Sequence, residues 1–278
     1  MPDALLRHIA SCRNARLPGS RLGLRLGNAT IGWLSPETAA AILAAVPAAK
    51  RGAGALVLPD AAAFEAMAQA LAEQGFYRRR NELFSVREAP GRPELARLDR
   101  GALPLLGIWS EGVHVNGLVG RADGPWLWVA KRAADKTLDP GKLDHLVAGG
   151  VPAGLSPFET LCKEAAEEAA VPAALARRAV PVGHSSYVMQ RPEGLRRDRL
   201  HHYDLWLPED FVPRPADGEV ASFCLWPLSR VFAAVRDTDA FKFNVTLVLI
   251  DLFLRLGLVD AAGAEGRCLR AALDLPVA

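Results

Sequence analysis

The chain has 278 residues, half of them hydrophobic and 23% charged, a composition that supports a packed core and excludes a disordered, collagen-like or coiled-coil protein. Its 33 basic residues are matched by 31 acidic ones for a net charge of +2, so neither nucleic acid nor a membrane surface is an expected partner and a small molecule is. This length suits one large or two modest domains.

The first residues, Met1 to His8, lack the basic segment and long apolar run of an export signal. Helical apolar spacing over residues 4–9 is followed by strand patterns at 22–26 and 31–34. Ser35-Pro36-Glu37 then predicts a capped helix with proline in its first turn. Another strand over 54–58 leads to Asp60 as a helix cap and to Gly75 as that helix's end. Arg78, Arg79 and Arg80 read as a solvated face. Prolines, glycines and scattered charges over 88–104 mark a domain boundary, giving an accessory domain over 1–104 and a second domain over 105–278.

The second domain is richer in strand patterns, at 113–119, 126–129, 143–147, 180–189, 200–207 and 219–225. A hairpin turn is expected at 121–124 and another near Glu193-Gly194. Helices are expected at 157–170, 228–235, 245–256 and near Cys268. The apolar run over 245–259 is interrupted by Asp251 and Arg255, which argues against a membrane span. Cys12, Cys162, Cys224 and Cys268 are too dispersed for a zinc site or a disulfide framework, so they are expected as buried thiols in a cytoplasmic protein. The economical fold class is α+β, a mixed sheet with helices against it.

Chemistry concentrates in one helix, Lys163-Glu164-Ala165-Ala166-Glu167-Glu168. At 100° per residue, Glu167 and Glu168 lie about 60° and 40° to either side of Glu164, so three carboxylates share a face. Such a face is either solvated or holds a hard divalent ion, Mg2+ or Mn2+. The preceding Ala148-Gly149-Gly150-Val151-Pro152-Ala153-Gly154 is a glycine-rich loop where backbone can approach an anion or expose a carbonyl to a metal.

Counted from Gly149, this segment resembles the Nudix box, a glycine, five residues, a glutamate, seven residues, then Arg-Glu-apolar-any-Glu-Glu-any-Gly-apolar. Lys163 stands at the arginine, and Glu164, Glu167 and Glu168 match the helical glutamates. Leu155 replaces the first glutamate and Ala170 the late glycine. Glu159 is placed either to pair with Lys163 four residues on or to close a capping box with Ser156.

Further segments, Gly112-Val113-His114-Val115-Asn116-Gly117, Pro140-Gly141-Lys142-Leu143-Asp144, Asp217-Gly218-Glu219-Val220 and Phe241-Lys242-Phe243-Asn244, resemble a Nudix subgroup with an extra N-terminal domain. That subgroup is linked to thiamine diphosphate metabolism. Isopentenyl-diphosphate isomerase is also similar, but its catalytic cysteine and glycine-histidine pair are replaced by Ala148-Gly149-Gly150.

The resemblance implies a Nudix α/β/α sandwich preceded by a smaller α/β domain. It also implies a hydrolase of phosphoric anhydride bonds that uses Mg2+ or Mn2+ to convert thiamine diphosphate or its oxidised derivatives to the monophosphate. Glu164, Glu167 and Glu168 would hold the metal with the Ala148 carbonyl, Glu164 serving instead as base in some members, and Glu219 would act as a distal acid. Arg132, Lys136, Lys142, Gly149 and Gly150 would meet the substrate diphosphate. The alternatives are a pyrophosphatase for a nucleoside-diphosphate compound such as ADP-ribose and a non-catalytic ligand-sensing Nudix domain. A homodimer is allowed. His201 and His202 face opposite sides of a strand and are not a chelating pair, while Trp109 and Tyr187 are expected in the core.

Overall fold

Two helix caps organise the first hundred residues. Ser35 accepts a hydrogen bond from the Thr38 amide to start α2 (Pro36–Ala45), and Asp60 accepts from Ala63 to start α3 (Ala61–Glu73). A computed structural model describes residues 2–275. Before and between these helices lie α1 (Pro2–Cys12), β1 (Leu22–Leu26), β2 (Ala29–Leu34), β3 (Lys50–Gly52) and β4 (Ala55–Leu58). The strands form a sheet of order β2-β1-β4-β3, in which β1 and β4 are parallel, pairing Gly23–Leu26 with Ala55–Leu58. Strand β3 has no apolar alternation, and all three of its residues are exposed, so no sequence pattern announces it.

A two-stranded hairpin, β5 (Leu83–Val86) with β6 (Ala96–Asp99), and a helical turn, Arg100–Ala102, lead through the short α4 (Leu103–Leu106) to the second sheet. Its elements are β7 (Trp109–Arg121), β8 (Gly124–Arg132), β9 (Leu143–Asp144), β10 (Val147–Gly150), α5 (Pro157–Ala169), α6 (Ala173–Ala176), β11 (Val180–Arg191), β12 (Gly194–Trp206), β13 (Val220–Pro227), α7 (Leu228–Asp237), α8 (Val245–Arg255) and α9 (Ala264–Asp274). Strand order is β11-β12-β7-β8-β13, with β7 and β12 parallel over Trp109–Leu118 and Arg197–Trp206.

The strand expected over 143–147 is two strands, because the chain changes neighbour at His145-Leu146. Strand β9 pairs with β8, and β10 pairs with the first half of β7. The second half of β7 pairs with β8, so β8 and β10 diverge from a common neighbour and leave a notch between them.

Helix α5 covers one sheet face, where Val113, Val115, Val119, Leu161 and Ala165 are buried together. Helices α7, α8 and α9 cover the other with Leu118, Leu127 and Val129, and α1 joins them through Leu5, Ile9 and Cys12. A third core fills the first sheet and the β5–β6 hairpin. The expected α+β sandwich with a smaller α/β unit before it is thus present. Of the four thiols, Cys12 alone is buried. Cys162 is half-buried and Cys224 and Cys268 are exposed, because the latter two fall on outward positions of β13 and α9. Among the described residues no helix is long and apolar enough to cross a membrane.

Candidate active site

The N-terminus of α5 carries the full capping box. Ser156 accepts from the Glu159 amide, and the Glu159 carboxylate accepts from the Ser156 amide and hydroxyl at 2.8 and 2.7 Å. Glu159 is therefore spent on the cap. Lys163 pairs instead with Glu164 at 3.1 Å and with Glu167 at 2.6 Å, and these carboxylates raise its pKa. At the other end Ala170 takes a left-handed conformation, φ 51° and ψ 35°, where the box has glycine.

The three helical glutamates meet different surroundings. Glu168 is 7% exposed. It points into the notch between β8 and β10, where its Oε2 accepts from the Ala148 amide at 3.0 Å. Strand divergence leaves that amide without a ladder partner on its outer side, and the carboxylate satisfies it. Burial pushes the Glu168 carboxyl well above the ordinary range, and nearby Asp144, Glu164 and Glu219 push the same way against the Ala148 hydrogen bond. Glu164 packs on Gly149, where a Cβ would stand 2.5 Å from its Cγ; the glycine is what lets the helix carboxylate reach the strand. Burial raises Glu164 as well, opposed by Lys163. Glu167 is half-exposed and turned to Lys163 at the rim.

Glu219 closes the notch from the opposite side. The Asp217 carboxylate accepts from the Glu219 amide at 2.8 Å, fixing the turn into β13, and a register shift follows between Val220 and Ser222. Burial raises the Glu219 carboxyl, but a hydrogen bond from Lys136 and the charges of Lys136, Arg100 and Arg132 outweigh it and leave it lowered. Ligand atoms of Glu168, Asp217 and Glu219 all lie within 4.8 Å of one another. Asp217 was not assigned from the sequence; its only signal there was the Asp-Gly turn ahead of Glu219.

The basic residues divide. Lys136 reaches Glu219. Arg132 donates to Asp144 at 2.8 Å and to the Leu138 and Asp139 carbonyls at 2.8 and 3.1 Å, so its guanidinium braces the loop between β8 and β9 beside the notch. Lys142 donates to the Asp239 carbonyl, away from the carboxylates. Gly149 and Gly150 pair with Val113 and Gly112 in the sheet. Behind the notch, His114 and His145 share a hydrogen bond between their Nδ1 atoms at 2.9 Å, and burial holds both pKa values down, His145 to about 3. His202 is buried beside Ser185 and Asp251 while His201 faces Glu111, so the two do not share a site. Tyr187 is fully buried and Trp109 is 6% exposed.

Glu168, Asp217 and Glu219 thus bring three carboxylates to one notch, with burial pushing Glu168 toward protonation, and the all-oxygen donor set is of the kind that suits a divalent cation. Residues 111–246 match the family model for the NUDIX domain. The chain is 46% identical over 180 residues to "Nudix hydrolase 20, chloroplastic" and to "Nudix hydrolase 24, chloroplastic", both of Arabidopsis thaliana. The matched stretch is 65% of this chain and 48% and 49% of those proteins, so the chain spans about half the length of the curated relatives it matches. Among solved structures, DR0079 from Deinococcus radiodurans is similar at 21% identity and a TM-score of 0.46, over 63% of this chain and 97% of that one. Residues 111–246 are thus similar to a Nudix domain.

Proposed function

We propose that the protein is a metal-dependent diphosphohydrolase, and that its substrate is thiamine diphosphate or an oxidised derivative, released as the monophosphate. The observation that carries the hydrolase reading is the convergence of ligand atoms of buried Glu168 and exposed Asp217 and Glu219 to within 4.8 Å of one another at the notch. The substrate reading is supported by the segments at 112–117, 140–144, 217–220 and 241–244, which resemble the thiamine-linked subgroup. The same resemblance supports a division into an accessory domain over 1–104 and a catalytic domain over 105–278.

The residues present fit a divalent ion. Glu168 is a buried carboxylate whose hydrogen bond, among the described residues, comes from a backbone amide rather than a cationic side chain, and the donor set is all oxygen, as Mg2+ or Mn2+ prefers. Glu168, Asp217 and Glu219 would hold it. When bound, such an ion supplies positive charge to phosphate oxygens and lowers the pKa of a water. The remaining work falls to the chain. Glu164 Oε1 is engaged by Lys163, which leaves Oε2, over Gly149, to accept the proton of the attacking water. Its raised pKa brings that oxygen closer to the basicity a general base needs near neutral pH. Lys136 stands across the notch on Glu219 and meets the departing phosphate.

The test is turnover with Mg2+ of thiamine diphosphate, its oxidised derivatives and ADP-ribose, with products resolved by mass. A thiamine-type monophosphate plus inorganic phosphate is the expected result, and its rate falls by roughly a hundredfold or more in Glu168→Gln. Release of AMP from ADP-ribose alone contradicts the substrate reading. Tight binding without turnover contradicts the hydrolase reading.

A further inference from the structure

The β5–β6 hairpin reaches the carboxylate centre from outside the sheet that builds it. The Leu83 carbonyl accepts from the Ala153 amide at 2.7 Å. Phe84 occupies the space over Gly150, where a Cβ would stand 2.6 Å from its ring. Just before them, Glu82 is ion-paired with Arg100 at 2.7 Å. Glu82 lies near enough to add to the upward push on Glu164, and Arg100 near enough to help lower Glu219.

Beyond Glu82 the same strand borders a cavity of about 390 Å³, walled on the other side by β7, β12 and the start of α5. That volume is in the range of small-ligand sites, and the junction of two packed units is where such sites concentrate. From Pro157 at the cavity to Glu164 is seven residues of helix, about 10 Å. From Phe84 back to Glu82 is about 7 Å of strand. A diphosphate ester anchored at the carboxylates therefore has its organic group within reach of the cavity.

The lining is chemically particular. His201 Nε2 lies 2.7 Å from Glu111 Oε2, and this hydrogen bond, helped by Arg199 and Arg87, holds the Glu111 carboxyl below its ordinary value despite burial. An anionic acceptor thus lines the same cavity as two guanidinium groups whose charge it feels. Arg87 is steadied by the Arg92 carbonyl at 2.6 Å. Leu155, the residue that departs from the Nudix box, is 37% exposed and lines this cavity. An acceptor, donors and an apolar side chain lining one cavity suit the edge and the face of one flat polar ring.

We propose that this cavity receives the organic group of the diphosphate substrate, a planar amino-substituted nitrogen heterocycle, with Glu111 accepting from its amino group, Arg87 and Arg199 donating to its edge, and Leu155 against its face. The inference rests on the hydrolase reading above and makes the accessory region part of substrate recognition.

Calorimetric titration of the metal-free full chain with thiamine monophosphate and with AMP tests it, the two arms separating an aminopyrimidine from a purine. One of the two is expected to bind, at least about tenfold more weakly in Glu111→Gln and in Arg87→Ala. Arg87 hydrogen-bonds within its own hairpin, so Arg87→Ala decides the matter if Glu111→Gln does not fold. Binding of neither monophosphate, or unchanged affinity in a folded Glu111→Gln or Arg87→Ala, overturns the inference. Undiminished turnover in Glu168→Gln overturns the hydrolase reading instead.

Discussion

Ala170 ends α5 in the left-handed region, where a Cβ costs about 1 kcal/mol that glycine does not. Ala170→Gly is therefore expected to raise unfolding stability by about 1 kcal/mol in urea titration; an unmoved or lower midpoint would mean that the alanine methyl contributes packing that offsets the strain. The departure at Ala170 thus keeps the helix end that the box glycine makes, at a local cost. Lys163 in place of arginine still pairs with two carboxylates. The helical glutamates could be read from sequence because their spacing is a property of one helix. The convergence of Glu168 with Asp217 and Glu219 could not, since it depends on a notch between strands that no local pattern specifies. Arg132 shows the same limit: its charge was visible, but its commitment to Asp144 and two carbonyls depends on how the following loop folds back.

At the scale of elements, α1 lies far from where its sequence neighbours pack. It sits against α7, α8 and α9 through Leu5, Ile9 and Cys12, all 2% exposed or less. His8 donates to the Val235 carbonyl at 2.7 Å, Arg7 donates to the Thr238 carbonyl at 2.8 Å, and Cys12 donates to the Phe243 carbonyl at 3.3 Å. Burial of the thiol pushes its pKa up to about 12. The apolar spacing of α1 announces a helix, but periodicity says which face is buried and not which surface covers it. Removal of residues 1–12 is expected to destabilise the second unit by about 3–5 kcal/mol, the burial of two large aliphatic side chains less the entropy of ordering them. Thermal unfolding of the shortened chain at an unchanged temperature would contradict this.

Taken as a whole molecule, the chain places charge where its net value of +2 conceals it. Acidic residues gather in the notch between β8 and β10, and arginines from the hairpin and from β12 gather around the neighbouring cavity. The mixed sheet and its covering helices followed from alternation and helical periodicity. The split of β9 from β10 did not, and that split opens the notch. The central claim is that Glu168, with Asp217 and Glu219, holds a divalent ion there. It is tested most directly by titrating the protein with Mn2+ and measuring free ion by its paramagnetic resonance signal. The account predicts saturable binding that weakens at least about tenfold in Glu168→Gln, the charge of one carboxylate ligand being lost. Equal Mn2+ affinity in the two folded proteins would contradict it.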